Sequence, residues 1–146
     1  RAWALFMFKK DELIFSYTTK EAVKDGFLMK IEGTMPSDAG IKFPVYLTST
    51  VYDRYVKVPE ELPGQQEMGR LWDLLYMFTW EARKTEGNTL HYKFFCQLPK
   101  TVKILDNEVL VKNSPLMREI TLKAVITAQD IDDPSPAIFI MLPHED

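Results

Sequence analysis

The sequence has very little cysteine: Cys96 is the only one among 146 residues. A single cysteine excludes an internal disulfide and any zinc site built from several thiolates. Because Cys96 lies in an apolar run over residues 92–98, we predict a small core residue and not a catalytic thiol, which needs a base beside it. A chain without disulfides is typical of a reducing compartment, so we predict a cytoplasmic protein.

Motifs for catalysis and metal binding are also missing. The six glycines are scattered singly, so there is no phosphate-binding loop, and neither a G-x-S-x-G elbow nor an H-E-x-x-H helix occurs. The acids Asp130, Asp132 and Asp133 lack the spacing of a calcium loop and predict a solvated turn. We therefore predict no metal and no cofactor, and the balance is against an enzyme.

Long apolar runs and a strong excess of one charge are absent too. No stretch approaches the roughly 18 apolar residues that span a membrane, and residues 2–8 make a poor secretory signal. The net charge is −3, with bases prevailing over residues 90–126 and acids over residues 127–146. We expect no membrane partner and do not favour general nucleic-acid binding, which needs a basic face.

What the sequence does contain is the composition of one globular domain, residues 1–146, with residues 1–12 loosely ordered. Residues 13–15 predict a strand. A T-x-x-E capping box at Thr18 and Glu21 predicts a short helix that ends at Gly26. A strand or extended segment over residues 27–31 and a turn or single helical turn over residues 35–40 follow.

Two longer helices are predicted in the middle of the chain. Apolar residues at three- and four-residue spacing after Pro44 favour a helix over residues 45–58. The clearest helix covers about residues 67–85. Only Asp73, Thr79 and Glu81 interrupt its apolar stretch over residues 71–82, which predicts a helix buried on all sides.

From Leu90 onward the apolar period changes to two, which predicts strands. Asp106-Asn107 suits a tight hairpin, and the wholly apolar residues 137–142 predict a central strand. The predicted fold is therefore α+β. N-terminal helices, including one central buried helix, pack on a C-terminal antiparallel sheet of about four strands.

Candidate binding residues cluster at the start of the central helix. Arg70 and Asp73 share one helix face, where they form either a partly exposed ion pair or an anion anchor. Trp72, Tyr76 and Trp80 recur at four-residue spacing. They form either core packing or an aromatic platform beside Arg70.

Three functions remain open. The first is a non-enzymatic interaction or accessory module that binds a protein partner through an exposed aromatic patch or a free strand edge, which a homodimer could cover. The second is an enzyme with a site at Arg70, Asp73 and Asp25. The third is single-stranded nucleic-acid binding by the basic strip between Lys93 and Lys123, with its aromatics as a stacking platform: Tyr92, Phe94 and Phe95.

Five segments occur in an order that resembles the DUF6573-like family, small uncharacterised proteins of bacteria, phages and plasmids. The segments are residues 14–18, 22–28, 43–48, 69–75 and 140–146. The resemblance implies no activity and no catalytic residue. It implies a cytoplasmic setting and carriage on mobile DNA.

Overall fold

The computed structural model describes residues 17–145. The predictions for residues 1–12 and 13–15 lie outside this range. The described chain forms, in order, α1 (Thr19–Lys24), β1 (Leu28–Lys30), α2 (Met35–Asp38), β2 (Val45–Thr48), α3 (Ser49–Val51), a π-helical turn (Tyr52–Val56), α4 (Glu67–Ala82), β3 (Thr89–Ile104), β4 (Asn107–Asp130) and β5 (Asp133–Met141).

The strands form one sheet of five, in the order β1-β2-β5-β4-β3. The pair β2–β5 is parallel and the other neighbours are antiparallel. The α+β prediction is confirmed, although the sheet is mixed and larger than the four antiparallel strands expected. The difference comes from the N-terminal half, which adds β1 and β2 beside the central strand β5.

The sheet is covered on both faces at β2 and β5, and successive residues of β2 point into different cores. Val45 and Leu47 join the larger core, which α4 covers, whereas Tyr46 joins a smaller core with Ala22 of α1. Tyr46 stacks there on Phe139 of β5, with ring centroids 5.1 Å apart. This alternation follows from the two-residue period of a strand, and it places α1 and α4 on opposite faces of the sheet.

Local signals near the N-terminus are confirmed. Thr18 Oγ1 accepts a hydrogen bond from Glu21 N at 3.0 Å, which forms the predicted capping box. Gly26 has φ 83°, which is the left-handed conformation of a helix-ending glycine. Asp130 adds a contact that the sequence did not predict, because its carboxylate accepts from Thr19 N and Lys20 N and so fixes α1 to β4.

The predicted helix over residues 45–58 is wrong in its first part. Val45–Thr48 is a strand with all four residues buried, and only Ser49–Val56 is helical. A run this short fits the apolar period of a helix as well as that of a strand. It forms a strand because it pairs with β1 on one side and β5 on the other. Thr48 then ends the strand and caps the helical part, since its Oγ1 accepts from Val51 N.

The helix α4 exists as predicted but is not buried on all sides. Leu74, Leu75 and Phe78 are buried against the core. The opposite side faces solvent, because α4 packs mainly on β3 and on the π-helical turn. That side carries four large apolar residues, which we call the stripe: Met68, Trp72, Tyr76 and Trp80.

Strands β3 and β4 form one long hairpin in place of the several shorter strands that the sequence predicted. A tight hairpin turn forms as predicted but one residue earlier than Asp106-Asn107: the turn residues are Leu105 and Asp106, with φ 51° and 66°, because Asn107 pairs with Ile104 as the first residue of β4. Between Pro99 and Thr101 the pairing jumps from Pro115 to Leu110, so β4 carries an irregular bulge there. We call residues 99–115 the arm, and every residue from 100 to 110 in it is exposed.

Candidate interaction surface

Arg70 is a buried clamp at the base of the arm. Its side chain is only 6% exposed. Nε donates to Tyr55 O at 2.9 Å, and Nη1 donates to Gln97 O at 2.8 Å and to Gln65 Oε1 at 3.3 Å. Arg70 therefore ties α4 to the π-helical turn and to β3 where the arm leaves the sheet.

The predicted ion pair between Arg70 and Asp73 does not form. Among residues 17–145, Arg70 has no carboxylate partner within salt-bridge distance, and its Nη2 is buried without a hydrogen-bond partner. The two residues do line one small cleft. Desolvation raises the pKa of Asp73, which fits a carboxylate that no cation neutralises. Arg70 is held by backbone carbonyls because it points inward from α4, whereas Asp73 is exposed.

Cys96 lies beside the same cleft and is buried, as predicted. Burial raises the pKa of its thiol, and the positive charge of Arg70 offsets this only in part. A raised pKa keeps the thiol protonated at neutral pH, and a protonated thiol is a poor nucleophile.

Asp25 lies away from Arg70. It follows α1 on the other face of the sheet and accepts a hydrogen bond from the hydroxyl of Tyr17. The hypothesis of an enzyme needed Asp25, Arg70 and Asp73 together, and the fold brings together only the last two.

Trp72 is part of the stripe and not of the core. The exposed fractions of Trp72, Tyr76 and Trp80 are 36%, 41% and 46%, so core packing was the wrong interpretation of this spacing. Trp72 stacks on Tyr76 with ring centroids 6.0 Å apart and planes at 16°. The stripe is thus an ordered apolar surface open to solvent.

The aromatic platform predicted for nucleic acid is not assembled. Tyr92 and Phe94 are buried in the core, where the Tyr92 hydroxyl donates to Leu74 O at 3.0 Å. Phe95 points to the other face and is exposed. Successive strand residues alternate between faces, so Phe94 and Phe95 cannot stack on one strand of bases together. Lys93 in the basic strip pairs with Glu119 at 3.4 Å.

The arm is the second exposed apolar feature. Its tip is Leu105, which is 91% exposed. The other exposed apolar residues of its two strands lie close behind: Val102, Ile104, Val109 and Leu110. A two-stranded hairpin with no sheet beside it is marginal in water. Among residues 17–145 the arm is anchored at its base, where Asn113 N donates to Glu61 O at 2.7 Å and Gln65 hydrogen-bonds Gln97.

Neither a cluster of metal ligands nor a membrane-spanning helix occurs among residues 17–145. No three His, Cys, Asp or Glu residues within 17–145 are arranged to hold a metal ion. No helix over the same residues is long and apolar enough to cross a membrane. Asp133, one of the three acids considered above, instead accepts from Ser135 and Gln129, which lowers the pKa of its carboxyl.

Comparison with known proteins identifies the family. A family model described as a family of unknown function (DUF6573) matches residues 5–146. The chain belongs to the DUF6573 family. No curated protein and no solved structure matches this chain. Family membership carries no activity with it, so a function has to be argued from the surface described above.

Proposed function

We propose that this DUF6573 protein is a non-enzymatic interaction module that binds a protein partner through the stripe of α4. The observation that carries the proposal is the exposure of Trp72, Tyr76 and Trp80 along one side of a helix whose other side is core. A fold gains nothing from leaving three large aromatic residues in water. Contiguous exposed apolar surface of this kind marks interaction sites in soluble proteins.

The chemistry of the stripe suits protein recognition. Tryptophan and tyrosine are enriched among the residues that dominate binding energy at protein interfaces. The stacking of Trp72 on Tyr76 holds both rings in place before binding, so little side-chain entropy is lost when a partner covers them. Lys84 lies over the Trp80 ring at 5.9 Å and gives the stripe a polar rim at its end.

The setting is part of the proposal. The single buried thiol of Cys96 is compatible with a reducing compartment, and we place the protein in the cytoplasm. The resemblance described above adds the role of an accessory protein carried on mobile DNA.

Photo-crosslinking in the native host tests the proposal. Tyr76→benzoylphenylalanine puts a reactive aromatic group in the middle of the stripe, where the side chain is 41% exposed and the added benzoyl ring can extend into solvent. Ile131→benzoylphenylalanine is the matched control, because Ile131 is 59% exposed in the β4–β5 turn. We expect a discrete protein adduct from position 76 and none from position 131. If both positions give the same adducts, or neither gives any, the stripe is not a protein-binding surface.

A further inference from the structure

The arm and the stripe are two exposed apolar surfaces of one chain, and they match each other. We propose that in a two-fold symmetric dimer the arm of each copy lies along the stripe of the other. This inference rests on the proposed function, since it names the partner of the stripe as a second copy of the chain. Length, charge, symmetry and area each support it.

The tip of the arm has features that the isolated fold does not need. Leu105 adopts φ 51°, a left-handed conformation that asparagine and glycine adopt at much lower cost than leucine. Its side chain is also 91% exposed, so it makes almost no contact within its own chain. A residue type that is unfavourable for its backbone conformation, with no contact in its own chain to offset the cost, points to a functional position. A contact of the Leu105 side chain with another molecule would offset that cost.

The two surfaces have the same length. From Pro99 to Leu105 the arm extends about 20 Å at roughly 3.4 Å per strand residue. From Met68 to Trp80 the stripe extends about 18 Å at roughly 1.5 Å per helix residue. The exposed apolar residues of the arm can therefore face the whole stripe.

Charge determines the direction in which the arm lies. The tip has a net charge of −1, from Asp106 and Glu108 against Lys103, which lies opposite Glu108, whereas the base carries Lys100 and Lys112. The helix α4 has the opposite order. Its N-terminal half carries the exposed acids Glu67 and Asp73, and the exposed charges just after its C-terminal end, Arg83 and Lys84 against Glu86, sum to +1. Net charges of opposite sign meet at both ends only when the tip lies at the C-terminal end of the partner's helix.

A two-fold axis produces this same direction. Within one chain α4 runs antiparallel to β3, since Arg70 contacts Gln97 near the arm and Phe78 contacts Tyr92 further from it. The arm thus extends beyond the N-terminal end of its own helix. A two-fold axis perpendicular to α4 reverses the partner's helix, so the arm then runs from the N-terminal to the C-terminal end of the partner's stripe. The contact is isologous and closes without forming a fibre.

The buried area also requires two contacts. If a fully exposed large side chain offers about 200 Å², the exposed fractions of the four stripe residues give roughly 400 Å² of apolar surface. One arm on one stripe then removes about 800 Å² from water over both molecules, which is the size of a crystal contact. Two symmetric contacts remove about 1,600 Å², which is the usual size of a specific interface.

Sedimentation equilibrium of the full chain tests the proposal. We expect the wild type to have twice the monomer mass of 17.0 kDa. Leu105→Asn suits the left-handed turn and so preserves folding, and we expect it to weaken the dimer about tenfold or more. The double reversal D106K/E108K is expected to do the same. Adding R83E/K84E to that reversal restores opposite charges and is expected to restore the dimer. Ile131→Asn, in the other hairpin turn, is the control and stays dimeric.

Three results would overturn the inference. The first is a wild type that stays monomeric at roughly 100 μM, which is a hundredfold above a micromolar dissociation constant. The second is a dimer that the Leu105→Asn substitution leaves intact. The third is a D106K/E108K variant whose dimer is not restored by R83E/K84E. The crosslinker at position 76 separates this failure from that of the proposed function. An adduct with a different protein leaves the interaction function standing, whereas no adduct of any kind removes both.

Discussion

Arg70→Met removes the guanidinium of the buried clamp and keeps much of its apolar stem. Two carbonyl oxygens, Tyr55 O and Gln97 O, then lose a donor. Both lie where α4, the π-helical turn and β3 meet, and methionine has no donor that could replace the lost hydrogen bonds. The variant therefore tests whether this junction stabilises the fold.

The size of the effect follows from two opposing contributions. A buried acceptor left without a donor costs about 1–3 kcal/mol. There are two such acceptors, and the Cys96 thiol, at 3.7 and 3.8 Å from them, is a weak donor that can serve only one at a time. Removing Arg70 also relieves the desolvation of a buried charge that has no carboxylate partner and whose Nη2 is unpaired. We expect a net loss of about 2–4 kcal/mol, which is a large part of the roughly 5–15 kcal/mol that stabilises a domain.

Urea unfolding, followed by tryptophan fluorescence, measures this loss. With a slope of about 1–3 kcal/mol per molar urea, the midpoint falls by roughly 1–2 M. Arg54→Met is the matched control, because Arg54 is exposed in the π-helical turn, and we expect a change within about 0.5 kcal/mol. Arg70→Lys retains the positive charge but not the several donors of the guanidinium, so we expect its urea midpoint to lie between those of Arg70→Met and Arg54→Met. If Arg70→Met unfolds at the midpoint of Arg54→Met, the hydrogen bonds of Arg70 do not stabilise the protein.

Three further predictions concern the fold. Leu74→Ala empties a fully buried core position and costs about 2–5 kcal/mol in urea unfolding; a loss below 1 kcal/mol contradicts this packing. Asp130→Ala removes the acceptor for the first turn of α1 and costs about 0.5–2 kcal/mol by thermal melting, whereas an unchanged melt refutes it. Glu67 accepts from the Tyr52 hydroxyl and raises the pKa of Tyr52 to about 12. The stability from this bond is complete below the ordinary pKa of 10.0 and is lost as pH rises through about 12; Glu67→Gln shifts tyrosinate absorbance to lower pH unless the bond is absent.

The sequence by itself determined the features that depend on a few neighbouring residues. Thr18 and Glu21 form their capping box, and the hairpin turns within one residue of the predicted Asp106-Asn107, at Leu105-Asp106. Residues 137–142, apolar throughout, form the buried end of the central strand β5 and the residue after it. Cys96 is buried within its apolar run. Each of these signals is local, because caps and turns are satisfied within a few residues and burial follows from an apolar run.

Only the tertiary structure decided which side of each element is covered. Residues Val45–Thr48 became a strand because β1 and β5 lie on either side of them. Trp72 became a surface residue because α4 has the sheet on one side only, and an apolar pattern around a helix cannot show how many neighbours the helix has. Arg70 donates hydrogen bonds to the carbonyl oxygens of Gln97 and Tyr55 and does not pair with Asp73, because the fold brings those two carbonyls to it from other parts of the chain. Burial and polar partners are properties of the packed molecule, and they place the candidate function on the stripe and the arm.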